Sequence, residues 1–218
     1  MWIKICGIKD LDTAQRIAEL RPDAIGLNFY PQTPRQVDVA VAAKIAAALP
    51  AGVEPVWLVV NHSAVDVGES TKTCRLRTVQ LHGDEPPDFA AAFPELKVIC
   101  AVRVGAEGLG AAAAFLQQCA HQQTTPDYCL VDARVAGKYG GTGHTVSWEM
   151  LDREYRRETW PPLILSGGLT PENVDEAIRI CRPWGVDVSS GVESAPAVKD
   201  IDLVQRFIEA ARRGFESI

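Results

Sequence analysis

Eight short apolar runs, evenly spaced along 218 residues, constrain this chain more than any other feature. They cover residues 2–6, 24–29, 55–60, 78–82, 97–104, 128–132, 162–166 and 185–189. Each is rich in Val, Ile or Leu and does not alternate cleanly with polar residues. Strands covered on both faces read in this way. Between the runs lie stretches with helical spacing. Residues 10–20 place Leu11, Ala14, Ile17 and Ala18 on one stripe, with Asp10 positioned to cap the helix. Residues 39–49, 106–120 and 200–213 read similarly. Thr170-Pro171-Glu172-Asn173 predicts a further helix start, with Thr170 as N-cap and Pro171 at the first helical position. Residues 63–77 carry the weakest helical pattern.

Strands alternating with about eight helices admit two architectures, an open doubly wound sheet or a closed barrel. The count of eight, the even spacing and the lack of an early GxGxxG fingerprint favour the barrel. The expectation is a single-domain (β/α)8 TIM barrel over residues 1–218, with no linker or low-complexity segment dividing it. Such barrels usually run to about 250 residues, so the loops must be short. Their active sites lie at the C-terminal ends of the strands. In this chain Cys6, Asn28, Asn61, His82, Asp132, Ser166 and Ser189 all fall there.

The formal net charge is -6 and no basic face stands out, which argues against nucleic acid as a partner. The first residues lack the regions of a signal peptide, and no apolar run reaches membrane-spanning length. The six cysteines show no CxxC spacing, as in a reduced cytoplasmic protein, and most read as small core residues. His62, His82, His121 and His144 do not share metal-ligand spacing. A monomer and a homodimer are equally compatible with these observations.

Two glycine-bearing segments follow the last two strands, Ser166-Gly167-Gly168-Leu169 and Ser189-Ser190-Gly191-Val192-Glu193. Singly, each could be a tight turn. Together, after strands seven and eight, they predict a phosphate cradle, because glycine lets backbone N–H groups approach an oxyanion and this is a frequent phosphate site in barrels. Gly140-Gly141-Thr142-Gly143 could close over that site or form a plain surface turn.

Cys6 ends strand one and Asp132 ends strand six, so a closed barrel turns both toward one pocket. Alone, Cys6 reads as a core thiol and Asp132 as a cap. Beside a phosphate cradle they read as base and acid. Desolvation favours the protonated form of a carboxyl group, and nearby positive charge favours a thiolate. Lys4 shares the parity of Cys6, and Asp187 shares that of Ser189 on the neighbouring strand. A Lys4–Asp187 pair inside the barrel, beneath Cys6, is therefore expected, with the lysine helping to hold the thiolate.

These same residues resemble the phosphoribosylanthranilate isomerase family of tryptophan biosynthesis. The matching segments, in order, are Lys4-Ile5-Cys6-Gly7-Ile8, Gly26-Leu27-Asn28-Phe29-Tyr30-Pro31, Thr33-Pro34-Arg35, Val79-Gln80-Leu81-His82-Gly83-Asp84-Glu85, Val131-Asp132-Ala133, Gly140-Gly141-Thr142-Gly143, Ser166 to Val174 and Gly185 to Glu193. The resemblance implies an Amadori rearrangement of N-(5-phosphoribosyl)anthranilate to the 1-deoxyribulose 5-phosphate. It implies Asp132 as the acid that opens the ribose ring and Cys6 as the base at C2. It further implies Arg35 on the anthranilate carboxylate, and backbone amides of Gly167, Gly168, Ser190 and Gly191 on the phosphate. His82 and Asp187 are also expected in the substrate-contacting set, with a structural role equally compatible for His82. Only protons move, so no cofactor or metal is implied. The chain departs from the family pattern at Val56-Trp57-Leu58-Val59-Val60-Asn61, at Gln36, His144, Val146 and Ser147, and within Ala195-Pro196-Ala197-Val198, where a glycine is usual. Two rival readings are another sugar-phosphate isomerase on the same barrel, which would favour an aspartate at the end of strand one, and a phosphate barrel that binds without turnover.

Overall fold

All eight apolar runs form parallel strands, and the sheet closes on itself. The computed structural model describes residues 1–105, 108–132 and 148–218. The expected glycine-rich segment 140–143, with His144, Val146 and Ser147, lies outside the described residues. The strands are β1 (Ile3–Cys6), β2 (Ala24–Asn28), β3 (Glu54–Val59), β4 (Thr78–Leu81), β5 (Lys97–Arg103), β6 (Tyr128–Asp132), β7 (Leu163–Ser166) and β8 (Gly185–Val188). Lys4 stands opposite Ala24 of β2 on one side and Asp187 of β8 on the other, so the ring closes through β1.

Two apolar layers explain why the runs do not alternate. Ala24, Val56, Ile99, Leu130 and Ile164 pack inside the barrel. Ile5, Ile25, Leu27, Trp57, Val79 and Val131 point outward into the larger core beneath the helices. Each such aliphatic side chain stabilises the fold by about 1.5–3 kcal/mol on burial, so slipping a strand by one residue would disturb both layers at once.

The helices are α1 (Leu11–Glu19), α2 (Val39–Ala48), α3 (Ala64–Cys74), α4 (Gly110–His121), α5 (Trp148–Glu154), α6 (Val174–Cys181) and α7 (Ile201–Glu216). Asp10, Asp38, Ser63 and Asp200 cap α1, α2, α3 and α7 by accepting backbone N–H bonds in the first turn. The weakly patterned 63–77 segment thus contains a well-formed helix over Ala64–Cys74. Ser63 starts it, Arg75 in the left-handed region ends it, and the indole N–H of Trp57 donates to Ser70 Oγ at 3.0 Å. None of the described helices is long and apolar enough to cross a membrane.

Three expectations need correction. The β4–β5 connection carries only a 3-10 turn, Phe89–Ala92, set between Pro86-Pro87 and Pro94. Within the described residues α4 begins at Gly110, with Leu109 before it and Gly108 at φ +75°. Thr170 does not cap α6, which begins at Val174. The Asn173 side chain accepts from the Thr170 N–H (2.8 Å) and donates to the Gly168 carbonyl (3.0 Å). Those bonds draw residues 171–173 back toward the glycine loop and delay the helix.

Candidate active site

Cys6 closes β1 at the C-terminal rim with 5% of its surface exposed. Gly26 faces it across the β1–β2 pair, and a Cβ there would lie 2.6 Å from Sγ. The missing side chain is therefore the thiol's space. Below, Lys4 is fully buried, and its Nζ lies 2.6 Å from Asp187 Oδ1. Ser166 Oγ donates to the other Asp187 oxygen at 3.1 Å. The expected interior pair is present.

Its effect on the thiol differs from expectation. Burial opposes the charge on Lys4, but attraction to Asp187 and Cys6 outweighs it and holds the ammonium above the usual lysine range. Burial pushes the Cys6 thiol up, and Lys4 and Lys199 offset this only in part, with Asp187 working against them. Removal from water costs the anion more than the two ammonium groups return, which leaves the thiol above its usual range.

Asp132 ends β6, three strands from β1 around the ring, and is largely covered. His82 Nε2 lies 3.8 Å from its Oδ2. On the other side of the ring, His82 Nδ1 meets Gln80 Nε2 at 2.8 Å. With the amide donating, Nδ1 accepts and a neutral imidazole carries its proton on Nε2, toward Asp132. Gln80 is fully buried inside the barrel, and its Oε1 has no partner among the described residues.

Arg35 reaches the same rim from the β2–α2 loop. Its aliphatic stem lies over Gly7, where a Cβ would sit 2.7 Å from Arg35 Cδ and where φ is +86°. Its guanidinium forks onto Glu193, with Nε to Oε1 at 2.8 Å and Nη2 to Oε2 at 2.6 Å. Glu193 also accepts from Lys199 Nζ (2.8 Å) and from the Ala197 N–H (3.1 Å). Despite its burial, these donors hold the Glu193 carboxyl well below the usual range, at about 2. Burial lowers the Lys199 ammonium, and Glu193 opposes that. The short hairpin that carries the network comprises β9 (Glu193–Ala195) and β10 (Val198–Lys199). Ala197 sits between them at φ +62°, where the family's usual glycine would be unstrained.

The two glycine segments lie against each other. Gly167 and Gly168 both take positive φ (+89° and +68°). Ser190–Val192 forms a single 3-10 turn. A Cβ on Gly191 would overlap the Leu169 carbonyl oxygen, so the absence of a side chain lets the loops after β7 and β8 touch. The backbone N–H groups of Gly168, Ser190 and Gly191 have no backbone acceptor among the described residues. They form a shallow nest of donors at the rim.

The rim thus brings together Cys6, Arg35, His82, Asp132, Ser166 and the glycine loops. Asn28 Oδ1 accepts from Tyr30 N–H (2.9 Å) and Asn61 Oδ1 from Asp84 N–H (2.7 Å), so both brace loops. Sequence reasoning missed Gly26, Gln80, Glu193 and Lys199 as members of the site. A lone glycine inside a strand pattern could have pointed to Gly26, and the two-residue period links Gln80 to His82. Nothing local links Glu193 to Arg35, which are 158 positions apart. At the opposite end of the barrel a cleft of about 400 Å³ is lined by Trp2, Asp23, Glu54, Thr78, Tyr128 and Trp184, among others. None of the rim groups faces it.

Barrel and rim are those of a (β/α)8 enzyme whose polar side chains converge on the C-terminal ends of its strands. The family model of N-(5'-phosphoribosyl)anthranilate (PRA) isomerase matches residues 3–210. The N-(5'-phosphoribosyl)anthranilate isomerase of Geobacter sulfurreducens is 42% identical over 210 residues, covering 96% of this chain and 98% of that one. The phosphoribosyl anthranilate isomerase structure from Thermotoga maritima superposes with a TM-score of 0.83 at 35% identity, covering 97% of this chain and 98% of that one. A second structure, with reduced 1-(o-carboxyphenylamino)-1-deoxyribulose 5-phosphate bound, gives 0.81 at 34% identity over the same shares. The chain belongs to the N-(5'-phosphoribosyl)anthranilate isomerase family and is an isomerase.

Proposed function

We propose that residues 1–218 act as one catalytic domain that converts N-(5-phosphoribosyl)anthranilate to 1-(2-carboxyphenylamino)-1-deoxyribulose 5-phosphate, a step of tryptophan biosynthesis in the cytoplasm. The observation that carries this reading is a buried thiol and a largely covered carboxyl group on strands of one rim, beside open glycine loops. Asp132 donates a proton to the ribose ring oxygen, the C1–O bond breaks, and an imine forms to the anthranilate nitrogen. Cys6 removes the proton from C2, giving an enolamine. Protonation at C1 with loss of the enol O–H proton at C2 leaves the aminoketone, so protons balance and no electrons leave the substrate. Lys4 and Lys199 reduce the cost of the transient thiolate, and substrate closing over the rim excludes water from it.

Backbone amides of Gly167, Gly168, Ser190 and Gly191 bind the phosphate. Arg35 binds the anthranilate carboxylate through Nη1, because Glu193 occupies its other edge. His82 completes the substrate shell beside Asp132. Asp187 supports it from below through Lys4 and Ser166. The partner is a small phosphorylated molecule rather than nucleic acid or membrane, and the chain works as a monomer or homodimer.

The test is a fluorescence assay with freshly made phosphoribosylanthranilate and the next synthase added to draw off product. Loss of the substrate signal without added cofactor is the expected result. A folded protein that leaves the signal unchanged would contradict the reading. Gly168→Asp, which sets a negative side chain in the phosphate nest, is expected to weaken binding of the reduced product analogue at least about tenfold. Unchanged affinity would show the cradle to lie elsewhere.

A further inference from the structure

We infer that Glu193 is a positioning residue that selects substrates bearing a ring carboxylate, by locking Arg35 with one edge held and the other presented. The inference rests on the reading of Arg35 given above. Glu193 takes both donors of the Arg35 Nε/Nη2 edge at 2.8 and 2.6 Å. It is itself fixed on two further sides, by Lys199 Nζ and the Ala197 N–H. Lys199 also donates to the Ser189 carbonyl at 2.8 Å, which ties the cluster to the end of β8. Ser189 Oγ in turn donates to the Cys6 carbonyl at 3.2 Å. The guanidinium is therefore referenced to the strand that carries the thiol, although Arg35 is on a loop.

Arg35 Nη1 hydrogen-bonds to no described residue, and its two N–H donors remain for a ligand. A flexible arginine would lose side-chain entropy on gripping a carboxylate. A fixed one has lost it already, so more of the interaction appears as affinity. The charge count matches. Two cations and one anion leave one net positive charge, which suits one ligand carboxylate. Lys199 has 1% of its side chain exposed and Glu193 4%, so solvent does little to screen them.

Positioning and bulk electrostatics make opposite predictions. Glu193→Gln removes a negative charge near the ligand, so electrostatics alone would tighten carboxylate binding. Loss of positioning weakens it. The experiment measures the Kd of the reduced product analogue and of the same compound with phenyl in place of carboxyphenyl. Glu193→Gln is expected to weaken the carboxylate ligand about tenfold and the phenyl ligand less than about twofold. Retained affinity for the phenyl ligand also shows that the variant is folded. Arg35→Ala is expected to show the same selectivity, and the double variant no further loss.

Tighter binding, no change, or equal weakening of both ligands by Glu193→Gln would overturn the inference. If that occurs while Arg35→Ala remains selective, the assignment of Arg35 stands and only the role of Glu193 fails. If Arg35→Ala is itself unselective, both fail. Turnover supplies a second readout, since a positioning role raises KM for the natural substrate more than it lowers kcat.

Discussion

The two ends of the barrel are built from the same strands yet treat polar groups in opposite ways. At the N-terminal end the chain consumes its own carboxylates. Asp23 accepts from the Ile3 N–H (2.9 Å), Asp127 from the Val98 N–H (2.8 Å) and Glu54 from Thr78 Oγ1 (2.5 Å). Trp184 stacks on Trp2 and Tyr128, with centroids 5.5 and 4.3 Å away, and covers the end of the interior layer. At the C-terminal end, several donors have no acceptor among the described residues. Among the described residues Arg35 keeps a free edge and the glycine loops keep free amides, while Lys4 and Lys199 both press on Cys6. One end satisfies itself and holds the fold, while the other is left incomplete for a ligand.

The sharpest way to break this contrast is Lys4→Met, because Lys4 lies between the two ends. It leaves the Asp187 carboxylate without its cation inside the barrel, with only Ser166 Oγ still donating to it, so unfolding in urea should cost about 3–5 kcal/mol less than in the wild type. A loss under about 1 kcal/mol would mean that the pair is not the buried interaction described. Trp184→Ala tests the lower end alone. Trp184 is partly buried, and its loss should cost about 2 kcal/mol of stability through lost stacking and burial, with KM and kcat nearly unchanged. A change in KM larger than the stability loss explains would tie the lower end to function.

Acid titration probes the upper end. Glu193 is held near 2 in the folded protein and titrates near 4.3 when unfolded. Its contribution to stability is complete above the unfolded value and disappears as pH falls toward the folded one. Wild-type stability should therefore fall faster than that of Glu193→Gln between about pH 5 and 3; parallel curves would contradict the network. Ala197→Gly gives the smallest effect, a gain of about 0.5–1 kcal/mol from relief of the left-handed backbone. A destabilised variant would show that the Ala197 methyl group contributes more packing than its φ costs.

The sequence made the barrel legible because burial on both faces leaves continuous apolar runs, as in Tyr128–Asp132 with Leu130 inside and Val131 outside. Lys4–Asp187 was legible too, since parity and ring closure are both discrete. The start of α6 was not, because Asn173 bonds to the Gly168 loop rather than following local capping rules. The β4–β5 connection was not, because prolines at both ends allow several short turns. The Arg35–Glu193 fork depends on two loops that only the closed barrel brings together. The upward shift of the Cys6 thiol escaped for a different reason. Nearby cations can be inferred from order along the chain, but the depth of burial that outweighs them cannot.

The most direct test of the incomplete upper end as a catalytic centre separates turnover from binding in Cys6→Ser and Asp132→Asn. For each variant, kcat would be measured with phosphoribosylanthranilate and Kd with the reduced product analogue. The account predicts a fall in kcat of about 10²–10⁴ in each, with Kd within about threefold of the wild type. Wild-type turnover in either variant, with binding intact, would remove that residue from the chemistry and contradict the account.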